Sequence, residues 1–369
     1  MTRAFFAYRD APERRRALAS PLGSPERYRL FGLDELRSRG LGVEHNLEAH
    51  RTARWARAAG ATVKWLLELG GGYGGDFAST LASLRRANRA DVVLSTVDTV
   101  GIPLVLLKRA RMLHPPLVYV AVGLPERLTR LRSERMRRLY ASALASCSSV
   151  IAYSEHEVES LREWVGRQGV TARIEFVPFG VDTESFRPED ERTTDEVVSV
   201  GADPHRDFPL LVRVATRMPE TSFRIVTTGE HSRALPALPA NVTVDSDRPF
   251  EETRDRLARA RVVALPVREN SYSGATTVLL QAMALAKPVV VTRTKAIATG
   301  YGLVDGENCR LVPPGDADGF ERALVEVLRD EPEARHLGAS ARSTVERDLT
   351  WDQYVDRLAT VLADARRVP

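Results

Sequence analysis

Cysteine and long apolar runs are scarce in this sequence. Only two cysteines, Cys147 and Cys309, occur in 369 residues, and their separation fits neither a zinc site nor a disulfide framework. No apolar run reaches the length of a membrane span, and the stretch between Arg3 and Arg9 is too short for a signal-peptide core. We therefore expect a cytoplasmic protein in a reducing compartment, with membrane contact at most peripheral.

Several catalytic and binding signatures are also missing. The sequence contains no P-loop, no G-x-S-x-G nucleophile turn and no H-E-x-x-H zinc motif. The acidic triplets Asp245–Asp247 and Asp316–Asp318 have a metal-binding form, but each lies where an aspartate commonly caps a turn or a helix. We predict no metal and no cofactor. The net charge is only +4, which does not select between an anionic ligand, a nucleic acid and an acidic membrane.

Apolar strands alternate with helices in two runs, which the polar segment Ser185–Glu196 separates. A chain of 369 residues is long enough for two domains, and such a polar segment is typical of a linker. Strands that alternate with helices indicate a mostly parallel sheet covered by helices on both faces. The sequence thus predicts two α/β domains.

The stretch Val262–Thr292 has the pattern strand, small-residue loop, helix, strand. Its loop places Ser273, Gly274, Ala275, Thr276 and Thr277 at a helix N-terminus. Free backbone N–H groups and the positive end of the helix dipole suit a phosphate there. An ordinary capped helix is the alternative, because serine and threonine are good N-caps.

Two stretches in the first half of the chain each have two possible interpretations. Gly70, Gly72 and Gly75 have the dinucleotide-binding spacing, but the preceding segment is helical, which argues against that site. A loop facing an inter-domain cleft and a simple helix connector are both compatible with it. The basic segment Glu126–Cys147 is interpreted as one helix, with either a solvated face or a face that docks on an anionic membrane.

Five segments, taken in order, resemble the retaining nucleotide-sugar glycosyltransferases of family 4, which have the GT-B fold. They are FVPFGVDTESFRP, VVSVGADPHRDFPLLV, the stretch ending QAMALAKPVVVT, DGENCRLVPPGD and a terminal helix with its tryptophan. The resemblance covers nearly all of residues 140–369 and is loose before them.

The resemblance implies an α/β fold of the GT-B type, with two doubly wound, Rossmann-like domains facing a cleft. Residues 1–185 would form the acceptor-binding domain, 186–350 the donor-binding domain, and 351–369 a helix that returns to the first domain. The implied activity is retaining, metal-independent hexosyl transfer from a UDP or GDP sugar to an acceptor hydroxyl. The implied partners are this donor and a small-molecule, glycan or lipid-linked acceptor, with no nucleic acid.

Site residues follow from the same resemblance. Arg206 stands where the family has a lysine that contacts the donor diphosphate, and it is expected to carry catalysis together with Ser273 and Gly274. The expected donor-binding residues are Gly201, His205, Arg206, Glu269, Ser273, Gly274, Ala275, Thr276, Thr277 and Gln281. The expected acceptor-side residues are Gly71, Gly72, Tyr73, Val122 and Gly123.

The chain departs from the family pattern at four positions. Ala202 replaces an arginine, Ser273 and Gln281 replace two glutamates, and Val122 replaces a histidine near the sugar. A glutamine still accepts from one ribose hydroxyl and donates to another, and Glu269 is a candidate to replace the first glutamate. These departures keep two alternatives open: a non-catalytic nucleotide-binding protein that supports a partner enzyme, and a GT-B sugar epimerase.

Overall fold

A computed structural model of the chain describes residues 2–48, 54–188, 193–272 and 274–367. The chain divides into two compact units. Unit 1 comprises Met1–Val177 and Val355–Pro369, and unit 2 comprises Pro178–Tyr354. The division falls earlier in the chain than the polar segment Ser185–Glu196. In the described part, each unit contains one six-stranded parallel sheet.

The sheet of unit 1 has the strand order β2-β1-β3-β4-β5-β6. Its strands are β1 (Arg3–Ala7), β2 (Gly42–His45), β3 (Val92–Ser95), β4 (Leu117–Ala121), β5 (Ser149–Ala152) and β6 (Ile174–Phe176). Every residue of the central strands β3, β4 and β5 is buried. Uninterrupted apolar strands are expected when helices cover both faces of a parallel sheet.

The helices of unit 1 follow the strands along the chain. They are α1 (Pro12–Ala19), α2 (Leu33–Ser38), α3 (Arg54–Leu69), α4 (Phe77–Ala87), α5 (Asp98–Arg109), α6 (Leu124–Leu128), α7 (Glu134–Leu144) and α8 (Glu155–Arg167), with a 3₁₀-helix at Pro25–Leu30. The prediction of a single basic helix over Glu126–Cys147 is wrong. The segment forms α6 and α7, because the Ser133 hydroxyl caps a new helix by accepting from Met136 N–H.

The sheet of unit 2 has the strand order β12-β11-β10-β7-β8-β9. Its strands are β7 (Glu196–Val200), β8 (Ser222–Thr227), β9 (Val242–Ser246), β10 (Val262–Leu265), β11 (Val289–Thr292) and β12 (Arg310–Val312). Its helices are α9 (Phe208–Arg217), α10 (Gly229–Arg233), α11 (Phe250–Ala258), α12 (Thr276–Ala284), α13 (Ala317–Arg329) and α14 (Glu331–Asp348). The order reverses between β7 and β10, and ligands of such sheets bind beyond the strand ends at that point.

The last helix, α15 (Trp351–Arg367), begins in unit 2 and continues in unit 1. In unit 2, the rings of Trp351 and Tyr354 pack on Phe179, with ring centroids 5.7 Å and 5.0 Å away. From Val355 onward the helix belongs to unit 1, where Asp356 forms an ion pair with Arg39 at 3.0 Å. None of the described helices is both long and apolar enough to cross a membrane.

Candidate functional site

The loops that follow β7 and β10 meet at the point where the strand order of unit 2 reverses. Arg206 and Val267 form an isolated bridge between the two loops, and the backbone N–H of Arg268 donates to the carbonyl of His205 at 2.8 Å. The first loop carries Gly201, His205 and Arg206, and the second leads through Gly274 into α12. The structure therefore brings together the two segments that the sequence predicted to bind the donor.

Arg206 is a buried cation, and two of its three guanidinium nitrogens have no acceptor among the described residues. It is 4% exposed, and its Nε and Nη1 atoms donate to no described atom. Burial lowers its pKa to about 10, while Asp203 and Tyr272 act in the opposite direction. The side chain is still protonated at neutral pH. A buried charge of this kind is costly unless an anion pairs with it.

Gly201 fits this position because the Arg206 side chain folds directly over it. A Cβ at position 201 would collide with Nε of Arg206. The carbonyl of Gly201 accepts a hydrogen bond from the Thr227 hydroxyl at 2.7 Å, which fixes the end of β7 against β8. Any larger residue at position 201 would displace the guanidinium.

Asp203, His205 and Tyr272 form a hydrogen-bonded cluster beside Gly274. The Tyr272 hydroxyl donates to Oδ2 of Asp203 at 2.7 Å, and the backbone N–H of His205 donates to Oδ1 at 2.7 Å. Nδ1 of His205 lies 3.1 Å from the Tyr272 hydroxyl. A Cβ at Gly274 would lie 2.9 Å from Oδ1 of Asp203, so glycine permits the close approach of the two loops. Sequence reasoning named neither Asp203 nor Tyr272.

The N-terminus of α12 is free of side-chain caps in the described residues. Ala275 occupies the N-cap position and makes no side-chain cap bond, and the buried hydroxyl of Thr276 has no partner among the described atoms. Thr277 is half-buried, and Gln281, one turn later on the same face, is buried. Ser273 lies outside the described residues. The first-turn N–H groups have no partner within the helix, and Gly274 brings this helix end close to Asp203 of the loop after β7.

Glu269 links two loops of unit 2. Its Oε1 atom accepts from the backbone N–H of Asn270 at 3.2 Å and from that of Lys295 at 3.0 Å. The side chain is exposed. One carboxylate oxygen is thus already engaged in holding the loop after β10 against the loop after β11.

In unit 1, Val122 contacts the buried carboxylate of Asp98 directly and Tyr73 reaches it through Arg127; the sequence did not single out Asp98. Asp98, in the first turn of α5, accepts from the Tyr119 hydroxyl at 2.6 Å, from Val122 N–H at 3.0 Å and from Nε of Arg127 at 2.9 Å. The Arg127 guanidinium lies 4.1 Å from the centroid of the Tyr73 ring. Burial raises the pKa of Asp98, and its hydrogen bonds oppose that shift.

The turn after β4 rests on a second buried carboxylate, Glu157 of α8. Its Oε1 atom accepts from the N–H groups of Gly123 and Leu124 at 2.8 Å and 3.1 Å. Its Oε2 atom is buried and has no partner among the described atoms. Burial first, and the charge of Asp98 second, raise the pKa of Glu157 well above its usual value. Gly123 has φ +72°, a conformation that glycine adopts without strain.

Gly71 and Gly72 belong to a closely packed connection between α3 and α4. A Cβ at Gly71 would collide with the carbonyl oxygen of Arg130, and one at Gly72 would lie 2.7 Å from the Tyr140 hydroxyl. That hydroxyl donates to the carbonyl of Tyr73 at 2.9 Å. The loop is therefore held against α6 and α7, and it follows a helix as the sequence indicates.

Asp245 has a structural role. Its carboxylate pairs with Arg224 at 2.9 Å, with Arg248 at 3.4 Å and with Arg256 at 3.5 Å. Asp247 accepts from the N–H of Gly229 at 3.0 Å. Across the described ranges, no group of three or more histidine, cysteine, aspartate or glutamate side chains could hold a metal ion.

Two family models match this chain over consecutive regions. One, described as "Glycosyltransferase Family 4", matches residues 41–185. The other, described as "Glycosyl transferases group 1", matches residues 196–330. The two matches together cover most of the chain: the first contains β2–β6 of unit 1, and the second contains all six strands of the unit 2 sheet.

Curated relatives are similar over part of their length. The chain is 27% identical over 207 residues to an MMP alpha-(1->4)-mannosyltransferase of Mycolicibacterium hassiacum, which covers 52% of this chain and 49% of the relative. It is 26% identical over 224 residues to a GDP-mannose-dependent alpha-(1-6)-phosphatidylinositol monomannoside mannosyltransferase of Mycolicibacterium smegmatis. This alignment covers 54% of this chain and 58% of that relative. The alignments thus span about half the length of these relatives.

Solved structures share the fold over the whole chain. Sucrose-phosphate synthase from Thermosynechococcus elongatus superposes with a TM-score of 0.75 and 15% identity, covering all of both chains. Anabaena HepE in complex with UDP-glucose superposes with a TM-score of 0.67 and 14% identity, covering 98% of this chain and 99% of that one. At such identities the likeness concerns the fold, which is GT-B.

Proposed function

We infer that this chain, which belongs to glycosyltransferase family 4, transfers a sugar from a nucleoside diphosphate sugar to an acceptor hydroxyl. The observation that carries the proposal is Arg206. It is a buried guanidinium whose Nε and Nη1 lack an acceptor among the described atoms. It lies in a loop that contacts Gly274 at the N-terminus of α12. A diphosphate supplies the missing negative charge and the missing acceptors.

The proposed mechanism rests on stabilising the departing diphosphate. Negative charge that develops on the bridging oxygen is stabilised by Arg206, by the N–H groups of residues 274–277 and by the dipole of α12. The bond between the anomeric carbon and the phosphate oxygen breaks as the acceptor oxygen bonds to the same face. The acceptor's proton passes to the leaving diphosphate. Retention of configuration and independence of metal follow from this route and belong to the proposal.

The donor is proposed to be a UDP or a GDP sugar. One relative is named as GDP-mannose-dependent, and one protein of the same fold is described with UDP-glucose, which supports both nucleotides as the first to test. Gln281 is proposed to contact the ribose, because its amide both donates and accepts. The acceptor is proposed to bind beside Tyr73, Val122 and Gly123.

A turnover assay tests the proposal. Purified protein is incubated with UDP and GDP sugars, and release of the nucleoside diphosphate is measured with and without candidate acceptors. We expect Arg206→Ala to lower turnover at least about a hundredfold, because loss of one donor to a developing oxyanion has that magnitude. Arg213→Ala, an exposed change on α9, is the matched control and should keep normal turnover. Normal turnover in Arg206→Ala would contradict the proposal that Arg206 binds the donor diphosphate.

A non-catalytic, nucleotide-binding role is the second candidate. It is favoured by Glu269, whose Oε1 is occupied by two backbone N–H groups, and by the neutral residues Ser273 and Gln281 at the places of the family's two glutamates. Melting-temperature shifts with UDP or GDP, without release of diphosphate from any donor, would favour this role. Specific ligands raise the melting temperature by mass action.

A further inference from the structure

One helix of unit 1 exposes a concentration of large apolar side chains. On α3, Trp55 is 63% exposed, Trp65 59%, Leu66 55% and Leu69 58%. The other exposed large apolar residues of the described chain, such as Leu22 and Leu238, are scattered over different elements. Single exposed apolar residues are ordinary on protein surfaces, whereas a contiguous patch indicates an interaction surface.

The four side chains lie on one side of the helix. At about 100° per residue, Trp55, Trp65, Leu66 and Leu69 fall within an arc of about 100°. The small residues within the same arc are Ala58 and Thr62. The stripe is about 21 Å long at 1.5 Å per residue. We call these four large residues the α3 stripe.

The α3 stripe is not needed to build the core of unit 1. A different face of α3 carries its buried residues, Ala56, Gly60 and Leu67. Gly60 makes the contact with α4, where a Cβ would lie 2.7 Å from the backbone nitrogen of Ala78. The helix is therefore anchored by its inner face, while the α3 stripe points away from the unit.

Basic side chains flank the α3 stripe. Arg54, Arg57 and Lys64 lie along one side of it and are exposed, and the acidic residue on this flank, Glu68, is 3.7 Å from Lys64. At the C-terminal end, the N–H of Arg132 donates to the carbonyl of Gly70 at 2.9 Å. This bond places the segment Arg130–Arg138 next to the end of the helix. The exposed arginines of this segment are Arg130, Arg132, Arg135 and Arg138, and its Glu134 pairs with Arg137 and Arg138.

We propose that α3 docks unit 1 on a bilayer that contains anionic lipids, with the α3 stripe at the boundary between headgroups and acyl chains. Tryptophan and leucine beside lysine and arginine suit that boundary, and basic residues are attracted by an anionic surface. The same flank would repel a second copy of this chain, which favours a lipid surface as the occupant. The proposal does not depend on the proposed sugar transfer.

Vesicle co-sedimentation of the 369-residue chain tests the docking. Binding is expected to phosphatidylcholine vesicles that contain phosphatidylglycerol, to weaken in added salt, and to be much weaker with phosphatidylcholine alone. Trp65→Ser should lower the partition coefficient about tenfold, and Arg57→Gln about fivefold. The matched controls are Leu238→Ser and Arg213→Gln, exposed residues of unit 2, which should bind like the unchanged protein.

Quenching by brominated lipids gives a second readout. Trp55 and Trp65 are exposed, whereas Trp164 and Trp351 are buried, so docking should quench the first pair and Trp65→Ser should reduce the quenching. Circular dichroism checks that the variants fold. Failure to bind vesicles, or equal binding by Trp65→Ser and the unchanged protein, would overturn the proposal. A dimer that Trp65→Ser dissociates, without vesicle binding, would identify the α3 stripe as a protein interface instead.

Discussion

At the scale of single residues, two arginines of unit 2, the half-buried Arg224 and the buried Arg206, have opposite surroundings. Arg224 donates to Glu196 at 2.7 Å and to Asp245 at 2.9 Å, and these partners raise its pKa. Arg206 has two nitrogens without an acceptor in the described chain, and burial lowers its pKa. Arg224 therefore stabilises the fold. Arg206 lowers the stability of the ligand-free protein, and we infer that its role is to bind an anion.

Methionine substitutions separate these two roles. Arg206→Met should leave the free energy of unfolding unchanged or higher in ligand-free protein, because it removes an uncompensated buried charge, and should abolish the melting-temperature shift with UDP or GDP. Arg224→Met should lower the free energy of unfolding by about 2 kcal/mol, since it removes the closest cationic partner of Glu196 and Asp245, and should keep the shift. Denaturant unfolding measures the free energy of unfolding of each variant, and a thermal-shift assay measures the change in melting temperature with UDP or GDP. Strong destabilisation of the ligand-free protein by Arg206→Met would contradict the proposal that Arg206 serves ligand binding and not the fold.

At the scale of elements, Glu157 connects α8 to the turn between β4 and α6. Burial and the charge of Asp98 raise its pKa, while the N–H groups of Gly123 and Leu124 lower it. From about pH 4.5, its ordinary value, the folded state keeps the proton that the unfolded state releases. The free energy of unfolding therefore falls as the pH rises from that value toward the raised pKa.

Glu157→Gln should remove this part of the pH dependence. The variant keeps an acceptor for Gly123 and Leu124 but cannot ionise. Its stability relative to the unchanged protein should rise with pH above about 4.5, by at most about 1.4 kcal/mol per pH unit. Glu163→Gln, an exposed change on the same helix, is the control and should follow the unchanged protein. Parallel stability curves for Glu157→Gln and the unchanged protein would mean that Glu157 is ionised in the fold. Denaturant titrations across this pH range provide the measurement.

At the scale of the whole molecule, the two units differ in how the chain builds them. Unit 2 is one continuous segment, Pro178–Tyr354, and contains every described residue of the proposed donor site. Unit 1 needs the C-terminal part of α15, whose residues Val355, Leu358 and Leu362 are fully buried or nearly so. Each such side chain contributes about 1.5–3 kcal/mol when it is removed from water.

The segment 178–354 expressed alone should fold cooperatively and bind UDP or GDP within a few-fold of the affinity of the full chain. A chain that ends at Tyr354 should lose the unfolding transition of unit 1 but keep nucleotide binding, because the proposed donor-binding residues lie in unit 2. Calorimetry and nucleotide titration test both shortened chains. An unfolded 178–354 segment, or one that binds no nucleotide while the full chain does, would contradict this independence.

The local sequence pattern was sufficient to predict the elements that have a clear apolar periodicity. The buried strands, the helix after the small-residue loop and the positions of Gly201 and Arg206 follow from apolar runs and from order along the chain. Local pattern failed at Glu126–Cys147, where basic residues continue through the break between α6 and α7. The break depends on the Ser133 cap and on the bond from Arg132 N–H to the carbonyl of Gly70, and the second of these is a tertiary contact.

The sequence by itself determined two parallel α/β sheets and the location of the candidate donor loops, since strand and helix periodicity is a local property. Only the tertiary structure decided which side chains meet there. Tyr272 reaches Asp203 across 69 positions of the chain, and Glu157 reaches Gly123 across 34. Parallel strands place all their carboxyl ends at one edge of the sheet. Residues far apart in sequence therefore become neighbours, and their burial, which no local pattern contains, sets their charge state and their chemistry.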